Sequence, residues 1–246
     1  MIRSPWPYPR IAAHRGAGKL APENTLAALK HGHALGHRMV EIDVKLSADG
    51  IAFLLHDSTL QRTTNGWGRA DSRTWRELAL LDAGSWHSRP FAGEPLATLA
   101  GAAAFCRAND IVVNIEIKPS PGRERETGAA VALDAAQLWR GADIAPLLSS
   151  FSEAALAAAR EAVPELPRAL LFDRLPRNWR DRCLKLGCAA LDAKHTALKS
   201  DIVDAAHASG MAVAAWTVNE MRRARTLIDW GVDTVITDAV DVLPPH

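Results

Sequence analysis

Short runs of β-forming residues alternate with alanine-rich helical stretches from Ile11 almost to the end of the chain. Strands separated by helices are typical of a parallel sheet with crossover helices. Eight such runs within 246 residues predict a (β/α)8 TIM barrel as the fold class, with a doubly wound open sheet as the alternative. The candidate strands are IAAHR, MVEIDVKL, IVVNIEIK, APLLSS, RALLF, CAALDA, MAVAAWTV and DTVIT.

One region interrupts this alternation. Residues 57–95 are rich in turn-forming residues and tryptophan and contain no clear parallel strand. We interpret them as a small insertion between the second strand and its helix. Because 48% of the residues are hydrophobic, the chain can bury a large core. We therefore expect residues 1–246 to form a single domain that carries this insertion.

The charge and the cysteine content argue against several classes of function. A formal net charge of +1 gives no electrostatic footprint for nucleic acid or for an anionic membrane surface. The N-terminal MIRSPWPYPR lacks the apolar core of a signal peptide, and no segment reaches the about 18 apolar residues of a membrane span. Three cysteines without a CxxC pair argue against a disulfide framework. We expect a soluble, cytoplasmic protein without stable membrane association.

Charged residues in the first three candidate strands are the main functional signal. Active sites of (β/α)8 barrels lie at the C-terminal ends of the strands. Residues two positions apart on a strand point to the same face, so each pair on the second and third strands should face one mouth. The residues are His14 and Arg15 on the first strand, Glu41 and Asp43 on the second, and Glu116 and Lys118 on the third.

The segment after the second strand brings another histidine to this mouth. The residues SADGI signal a tight turn, and a two-residue turn on its Asp-Gly pair would place Ala48 opposite Ile51. That register places His56 opposite Asp43, with the Cβ atoms roughly 5 Å apart. A shift of one residue would turn His56 to the other face.

These residue types suit phosphoryl chemistry at a metal site. Three carboxylates without thiolates favour a hard divalent cation such as Mg²⁺ or Ca²⁺, although a single carboxylate pair would more simply form salt bridges at a barrel rim. Arg15 and Lys118 would stabilise the charge of a phosphate. Histidines have an unperturbed pKa of about 6.5, so His14 and His56 would activate the attacking oxygen and protonate the leaving alkoxide of a phosphodiester.

An ordered set of motifs resembles the glycerophosphodiester phosphodiesterases. Each motif alone is weak, but their order and spacing are specific and cover nearly the whole barrel. The pieces TTNGWG and LDAGSW resemble the insertion that this family carries after its second strand. The motifs are AHRG at 13–16, PENT at 22–25, EIDVKLSADG at 41–50, HD at 56–57, IEIK at 115–118, AWTVN at 215–219 and GVDTVITD at 231–238.

This resemblance implies a metal-dependent hydrolase that converts a small-molecule glycerophosphodiester to glycerol 3-phosphate and an alcohol. Either the glycerol 2-hydroxyl attacks phosphorus to give a cyclic phosphate that is then hydrolysed, or a metal-bound water attacks directly, and the sequence does not choose. The sequence also does not determine the oligomeric state, and a homodimer is one of the alternatives. The implied roles are His14 and His56 as general acid and base, Glu41, Asp43 and Glu116 as ligands of Mg²⁺ or Ca²⁺, Arg15 and Lys118 as phosphate contacts, and Trp216 as a glycerol contact.

Other interpretations remain compatible with the barrel. The fold also hosts metal-dependent sugar isomerases and aldolases, and a non-catalytic binding barrel is a third alternative. The two histidines together with Arg15 favour phosphate over a free sugar. Within PENT we expect Asn24 to cap the first helix. We expect Arg62, in the insertion, to be solvated or salt-bridged.

Overall fold

Parallel strands arranged in a ring dominate the computed structural model, which describes residues 6–245. The first five residues of the proline-rich N-terminal stretch lie outside the described residues. Eight strands build the ring and a ninth pairs antiparallel to one of them. The strands are β1 (Ile11–Ala13), β2 (Met39–Leu46), β3 (Ala52–Leu54), β4 (Val112–Ile117), β5 (Leu147–Ser150), β6 (Arg168–Phe172), β7 (Ala190–Lys194), β8 (Ala212–Trp216) and β9 (Thr234–Thr237).

The ring is closed. Its strands pair in the order β1-β9-β8-β7-β6-β5-β4-β2, and the pairing of Ala13 with Val40 joins β2 back to β1. Each of the eight predicted strands contributes one strand of this ring. The (β/α)8 prediction is therefore confirmed, and the open-sheet alternative is wrong because an open sheet leaves two unpaired edges.

Helices follow the strands as the alternation predicts. Side-chain oxygens of Thr25, Thr98 and Ser152 accept backbone N–H groups at the starts of three of them. The expectation that Asn24 caps the first helix is thus wrong, because Thr25 occupies the cap. No helix within residues 6–245 has the length and apolar character needed to cross a bilayer. The helices are α1 (Leu26–Ala34), α2 (Trp75–Leu78), α3 (Leu99–Ala108), α4 (Glu124–Leu138), α5 (Glu153–Ala162), α6 (Trp179–Leu186), α7 (Ser200–Ala208) and α8 (Met221–Asp229).

Apolar side chains, half of them alanines, fill the interior of the ring toward the N-terminal ends of its strands. Alanines 12, 169, 190 and 212 form a buried cluster there with Met39, Leu147, Ile236 and Tyr8. The segment before β1 packs against this end, where the Trp6 indole donates to Thr234 Oγ1 and the Tyr8 hydroxyl donates to the Ala145 carbonyl. The buried charged side chains Glu41, Glu116 and Asp192 line a pocket toward the opposite, C-terminal end of the ring.

Because β1 is short, part of the edge of β2 at this C-terminal end is left for another strand. β1 pairs with β2 only at Val40, and the same edge of β2 then pairs with β3 through Val44, Lys45 and Leu46. β3 runs antiparallel, so the chain leaving Leu54 returns toward the end of β1. The segments that follow β1 and β3 therefore meet at the mouth of the barrel.

The register of the β2–β3 hairpin differs from the prediction by one residue. Leu46 pairs with Ala52 and Val44 pairs with Leu54, so the Asp43–His56 pairing is wrong. The turn has three residues instead of two, since the Ser47 N–H donates to the Ile51 carbonyl. Gly50 supplies the left-handed conformation, with φ of 82°, that such a loop requires. His56 still reaches the mouth because β3 ends at Leu54 and the pleat no longer fixes the direction of its side chain.

The insertion at residues 57–95 packs on its own small core. Its buried residues Leu60, Ala70 and Leu78 cluster with Phe53 of β3 and with Leu96. The described part of the insertion contains α2 and two short 3₁₀ helices but no strand of the ring. This irregular excursion matches the sequence prediction, and it lies on the C-terminal side of the barrel because it begins directly after β3.

Candidate active site

Three buried carboxylates converge between the middle of β2 and the C-terminal end of β4. Asp43 pairs with Glu116 across the two strands, and Glu41 lies two residues earlier on β2. One oxygen from each carboxylate lies within 4.8 Å of the others. We call these three residues the acidic cluster. Period-two geometry on two adjacent parallel strands is sufficient to bring them together.

Two histidines flank the acidic cluster, and a carboxylate holds each of them. His14 Nδ1 is 2.6 Å from Asp238 Oδ1, and its Nε2 is 3.8 Å from Glu41 Oε2. His56 Nδ1 is 2.7 Å from Asp57 Oδ1. A proton on Nδ1 would be donated to the carboxylate in each pair, which leaves Nε2 free to exchange a proton with a ligand.

Two cationic side chains partly neutralise the acidic cluster. Lys118 Nζ lies 3.0 Å from Glu116 Oε1 and 3.6 Å from Asp43 Oδ1. Arg15 Nε is 3.4 Å from Asp43 Oδ2. The backbone of Arg15 adopts φ of 52°, which non-glycine residues disfavour. Its N–H donates to Glu41 Oε2 over 3.1 Å, and this contact helps to hold the strained turn.

The pKa values of the acidic cluster indicate unbalanced negative charge. Burial, followed by repulsion from Asp43 and Glu116, raises the pKa of Glu41 well above its usual value. Burial and Asp43 also raise the pKa of Glu116 to about 7. Although burial would raise the pKa of Asp43 too, Lys118 and Arg15 lower it below its ordinary value. Glu41 and Glu116 therefore bind protons more strongly than ordinary carboxylates do, as expected for metal ligands without their cation.

The acidic cluster fits a hard divalent cation. Glu41 Oε1 is buried and has no hydrogen-bond partner within residues 6–245, and all three ligand atoms are carboxylate oxygens. Three carboxylates exceed the charge of Arg15 and Lys118 by one. A divalent cation would reverse this balance to one positive charge, which complements the single negative charge of a phosphodiester.

A pocket opens above these groups. It holds about 580 Å³ of free space including its mouth, and both histidines, Arg15 and Lys118 line it. Trp216 lies on one wall and meets the ring of Phe151 edge-on, with centroids 5.5 Å apart. All eight residues that we predicted for the site except Asp43 line the pocket itself, and Asp43 lies beside it in the acidic cluster.

A network of ion pairs links the insertion to the site. Arg62 donates to both oxygens of Glu23 and both oxygens of Asp57. Glu23 also accepts from Arg15 over 2.7 Å, while Asp57 holds His56. The prediction that Arg62 is salt-bridged is confirmed. Hydrogen bonding to Arg62 is the main cause that lowers the pKa of Asp57, so Asp57 stays ionised beside His56.

Sequence reasoning missed several residues of the site. Asn24 donates to Asp43 Oδ2 over 2.7 Å and accepts from the Asp43 N–H over 2.9 Å. Asp238 follows β9, so the rule that functional residues end barrel strands pointed to it. Asp192, within β7, was signalled by its position as a lone carboxylate in an apolar strand. Lys45 donates to the carbonyls of His56 and Lys118, and its place two residues after Asp43 on β2 was the signal for it.

Asp192 makes a pH-dependent contribution to stability. Burial, with a smaller effect of Glu116, raises the pKa of Asp192 to about 8, whereas in an unfolded chain the pKa is about 3.9. The folded protein therefore disfavours the ionised form of Asp192. As the pH rises from about 4 to about 8, the contribution of Asp192 to the free energy of unfolding becomes steadily less favourable to the folded state. We expect Asp192→Asn to melt at a higher temperature than the parent at pH 8 and at a similar temperature near pH 4. Thermal denaturation across this range tests the prediction, and an equal difference at every pH would contradict it.

The chain is similar in sequence and in fold to known phosphodiesterases. The sequence model described as "Glycerophosphoryl diester phosphodiesterase family" matches residues 14–242. The YhdW protein of Bacillus subtilis is 33% identical over 95% of this chain and 96% of its own length. A glycerophosphodiester phosphodiesterase of Caldanaerobacter subterraneus is 32% identical over 95% of both chains. The solved structure of an Oleispira antarctica phosphodiesterase, in complex with its product sn-glycerol-3-phosphate, has a TM-score of 0.88 and 36% identity, covering 94% of this chain and 93% of that one.

Proposed function

Since the chain belongs to the glycerophosphoryl diester phosphodiesterase family of hydrolases, we propose that it hydrolyses glycerophosphodiesters to glycerol 3-phosphate and an alcohol with His14 and His56 as the acid/base pair. The observation that carries this proposal is the meeting of two carboxylate-held histidines, two cations and the acidic cluster at one pocket. The product bound to the Oleispira relative supports glycerol 3-phosphate as the product here.

The acidic cluster is the proposed site of the divalent cation, Mg²⁺ or Ca²⁺. A cation held by Glu41, Asp43 and Glu116 would stabilise negative charge that develops on the phosphoryl oxygens. Lys118 and Arg15 would bind the same phosphate from the side, because both line the pocket next to the acidic cluster. These charges favour a phosphorylated substrate over the free sugar of an isomerase or aldolase.

The histidines would perform the two proton transfers. As the new P–O bond forms, the Nε2 of one neutral imidazole takes the proton of the attacking oxygen. As the P–O bond to the head-group alcohol breaks, the other histidine, which is protonated, gives its proton to the departing oxygen. The attacking oxygen is either water, which gives glycerol 3-phosphate directly, or the glycerol 2-hydroxyl, which gives a cyclic phosphate. In the second route water then opens the cyclic phosphate to glycerol 3-phosphate, and the two histidines exchange their roles as acid and base. Phosphorus NMR during turnover distinguishes the two routes, since a transient cyclic phosphate forms only in the second.

A direct assay tests the proposed function. The purified protein with Mg²⁺ or Ca²⁺ is expected to release glycerol 3-phosphate from glycerophosphocholine and related diesters, as measured by coupled oxidation with glycerol 3-phosphate dehydrogenase. Steady turnover would also exclude the alternative of a non-catalytic barrel. If no glycerophosphodiester yields glycerol 3-phosphate in either metal, the proposal is wrong.

Lys118→Ala tests the phosphate contact. Loss of this ammonium should raise KM about tenfold or more, because a charged hydrogen bond to a buried anion contributes about 1.5–3 kcal/mol. Lys194→Ala is a matched control, since Lys194 pairs with Asp173 outside the pocket. A change in melting temperature with no change in KM would make Lys118 a structural residue.

The cytoplasmic location and the homodimer remain predictions from the sequence. The single-domain organisation over residues 1–246 also remains a proposal, which the continuity of the ring across residues 11–237 supports.

A further inference from the structure

A buried lysine next to the acidic cluster has no role in the proposed mechanism. Lys45 lies two residues after Asp43 on β2, on the same face of the strand, and is only 3% exposed. It is not among the residues that line the pocket. Its ammonium forms no ion pair within residues 6–245. It donates instead to two backbone carbonyls, that of Lys118 over 3.1 Å and that of His56 over 3.4 Å.

Burying this ammonium is unfavourable. Burial, followed by repulsion from Lys118, lowers the pKa of Lys45 to about 8. An apolar side chain at the same position would avoid the desolvation of a charge. Proteins retain such unfavourable groups chiefly at functional sites, where the group supports a geometry that the function needs. Its two carbonyl partners indicate what Lys45 supports.

These carbonyls belong to residues that lie beyond the ends of their strands. β3 ends at Leu54 and β4 ends at Ile117, so strand pairing does not fix the peptide groups that follow His56 and Lys118. Lys45 binds the carbonyl oxygens of both peptide groups and thereby connects two segments that are far apart in the chain. Because the peptide group is planar, holding its carbonyl restricts the backbone and limits where the side chain can point.

The other contacts of the two residues involve their side chains. Asp57 holds the His56 ring at Nδ1, and Glu116 holds the Lys118 ammonium. Lys45 supplies a second point of attachment for each residue, on the backbone. Two fixed points orient an imidazole more precisely than one does. Precision matters here, because an acid or base must lie within hydrogen-bond reach of the reacting oxygen.

We propose that Lys45 is a positioning residue whose ammonium, by binding the carbonyls of His56 and Lys118, sets the position of the acid/base imidazole relative to the phosphate-binding ammonium. This inference rests on the proposed function. Lys45 acts through these two residues and does not contact the substrate. The role depends on the hydrogen-bond donors of Lys45 and not on its bulk.

Lys45→Met tests this role, because methionine retains most of the apolar chain and removes the ammonium. We expect kcat for glycerophosphocholine to fall about tenfold to a hundredfold, since a displacement of about 1 Å in a catalytic group has effects of this size. Lys45→Arg retains a charged donor and should recover most of kcat. Steady-state kinetics at saturating Mg²⁺ or Ca²⁺ measure both variants. A rise in KM with unchanged kcat would make Lys45 a direct phosphate contact and overturn the proposal.

A double-mutant cycle shows whether Lys45 acts through His56. In the His56→Ala background the imidazole is absent, so Lys45→Met should lower kcat by a much smaller factor than it does in the parent. Such non-additivity is expected of residues that act through one another. An equal factor in both backgrounds would indicate a general structural effect and would contradict the positioning role.

Arg168→Met is the matched control. Arg168 is also a buried cation, 5% exposed, and it donates to the carbonyls of Pro164, Leu166 and Gly187 at the N-terminal end of the ring. Its replacement should leave kcat near the parent value, whatever its effect on the melting temperature. Equal losses of kcat in Arg168→Met and Lys45→Met would overturn the specific role of Lys45.

A measurement without turnover separates this inference from the proposed function. NMR of the histidine ring nitrogens should show a change at His56 in Lys45→Met and none at His14 or His207. If Lys45→Met does not fold, Lys45→Gln, a shorter neutral donor, should show a smaller change at the same ring. Unchanged His56 signals would overturn the role of Lys45 even in an active enzyme. Absence of glycerol 3-phosphate release from the parent would refute the proposed function itself, while the NMR comparison would still test Lys45.

Discussion

Replacing His14 or His56 with alanine is expected to lower turnover about a hundredfold or more, the usual effect of a positioned acid or base. Each imidazole is held by a carboxylate, with Nδ1 contacts of 2.6 Å to Asp238 and 2.7 Å to Asp57. Neither histidine belongs to a hydrophobic core cluster. The variants should therefore fold normally, and steady-state kinetics with circular dichroism would measure both properties.

His207→Ala is a matched control for the two histidines. His207 forms the same kind of pair, with Nε2 2.9 Å from Asp233 Oδ2, but it lies on α7 and does not line the pocket. Its loss should leave turnover near the parent value. Near-normal turnover of either His14→Ala or His56→Ala would remove that histidine from the mechanism.

Neutralising the acidic cluster should have a comparably large effect. In Glu41→Gln, Asp43→Asn or Glu116→Gln, a weak amide ligand replaces a carboxylate, and chelation of the metal should have the same consequence. Loss of several kcal/mol of charge stabilisation corresponds to about a hundredfold or more in rate. Calorimetric titration with Mg²⁺ or Ca²⁺ should show weaker binding in each variant, and Asp173→Asn, on the outer rim, should bind as the parent does.

Stability measurements distinguish a metal site from structural salt bridges. Burial, together with repulsion between the carboxylates, raises the pKa of Glu41 and Glu116, so without metal the Glu→Gln variants should be at least as stable as the parent at neutral pH. If these carboxylates only served salt bridges, their removal would leave Arg15 and Lys118 as uncompensated buried charges and lower the melting temperature. Lower stability combined with unchanged metal activation would rule out the acidic cluster as the metal site.

The sequence predicts the ring and the acidic cluster because both depend on simple periodicities. Alternation of strands and helices specifies a parallel barrel, and spacing by two residues specifies that Glu41, Asp43 and Glu116 face one mouth. Local patterns cannot distinguish a two-residue from a three-residue turn at SADGI, so the hairpin register was wrong. His56 reaches the site for a different reason, which is the early end of β3.

Contacts that depend on the assembled barrel were not predictable in this way. Asp238 lies 224 positions from its partner His14, and only ring closure brings them together. Asparagine is a favoured residue at helix caps, so the sequence predicts a cap at Asn24, but its side chain bonds Asp43 instead. In the sequence, Asp192 is a single carboxylate within an apolar strand, and nothing local indicates a site. Only the assembled barrel shows that Asp192 lines the pocket.

The separate small core of residues 57–95 bears on how such enzymes diversify. Since Leu60 and Leu78 pack within their own cluster and not in the main layers between strands and helices, mutations in this segment can accumulate without melting the ring. Arg62, through Glu23 and Asp57, ties the segment to the reacting groups. The barrel can therefore tolerate variation in this segment wherever Asp57 and Arg62 are kept, because these two residues fix the position of His56.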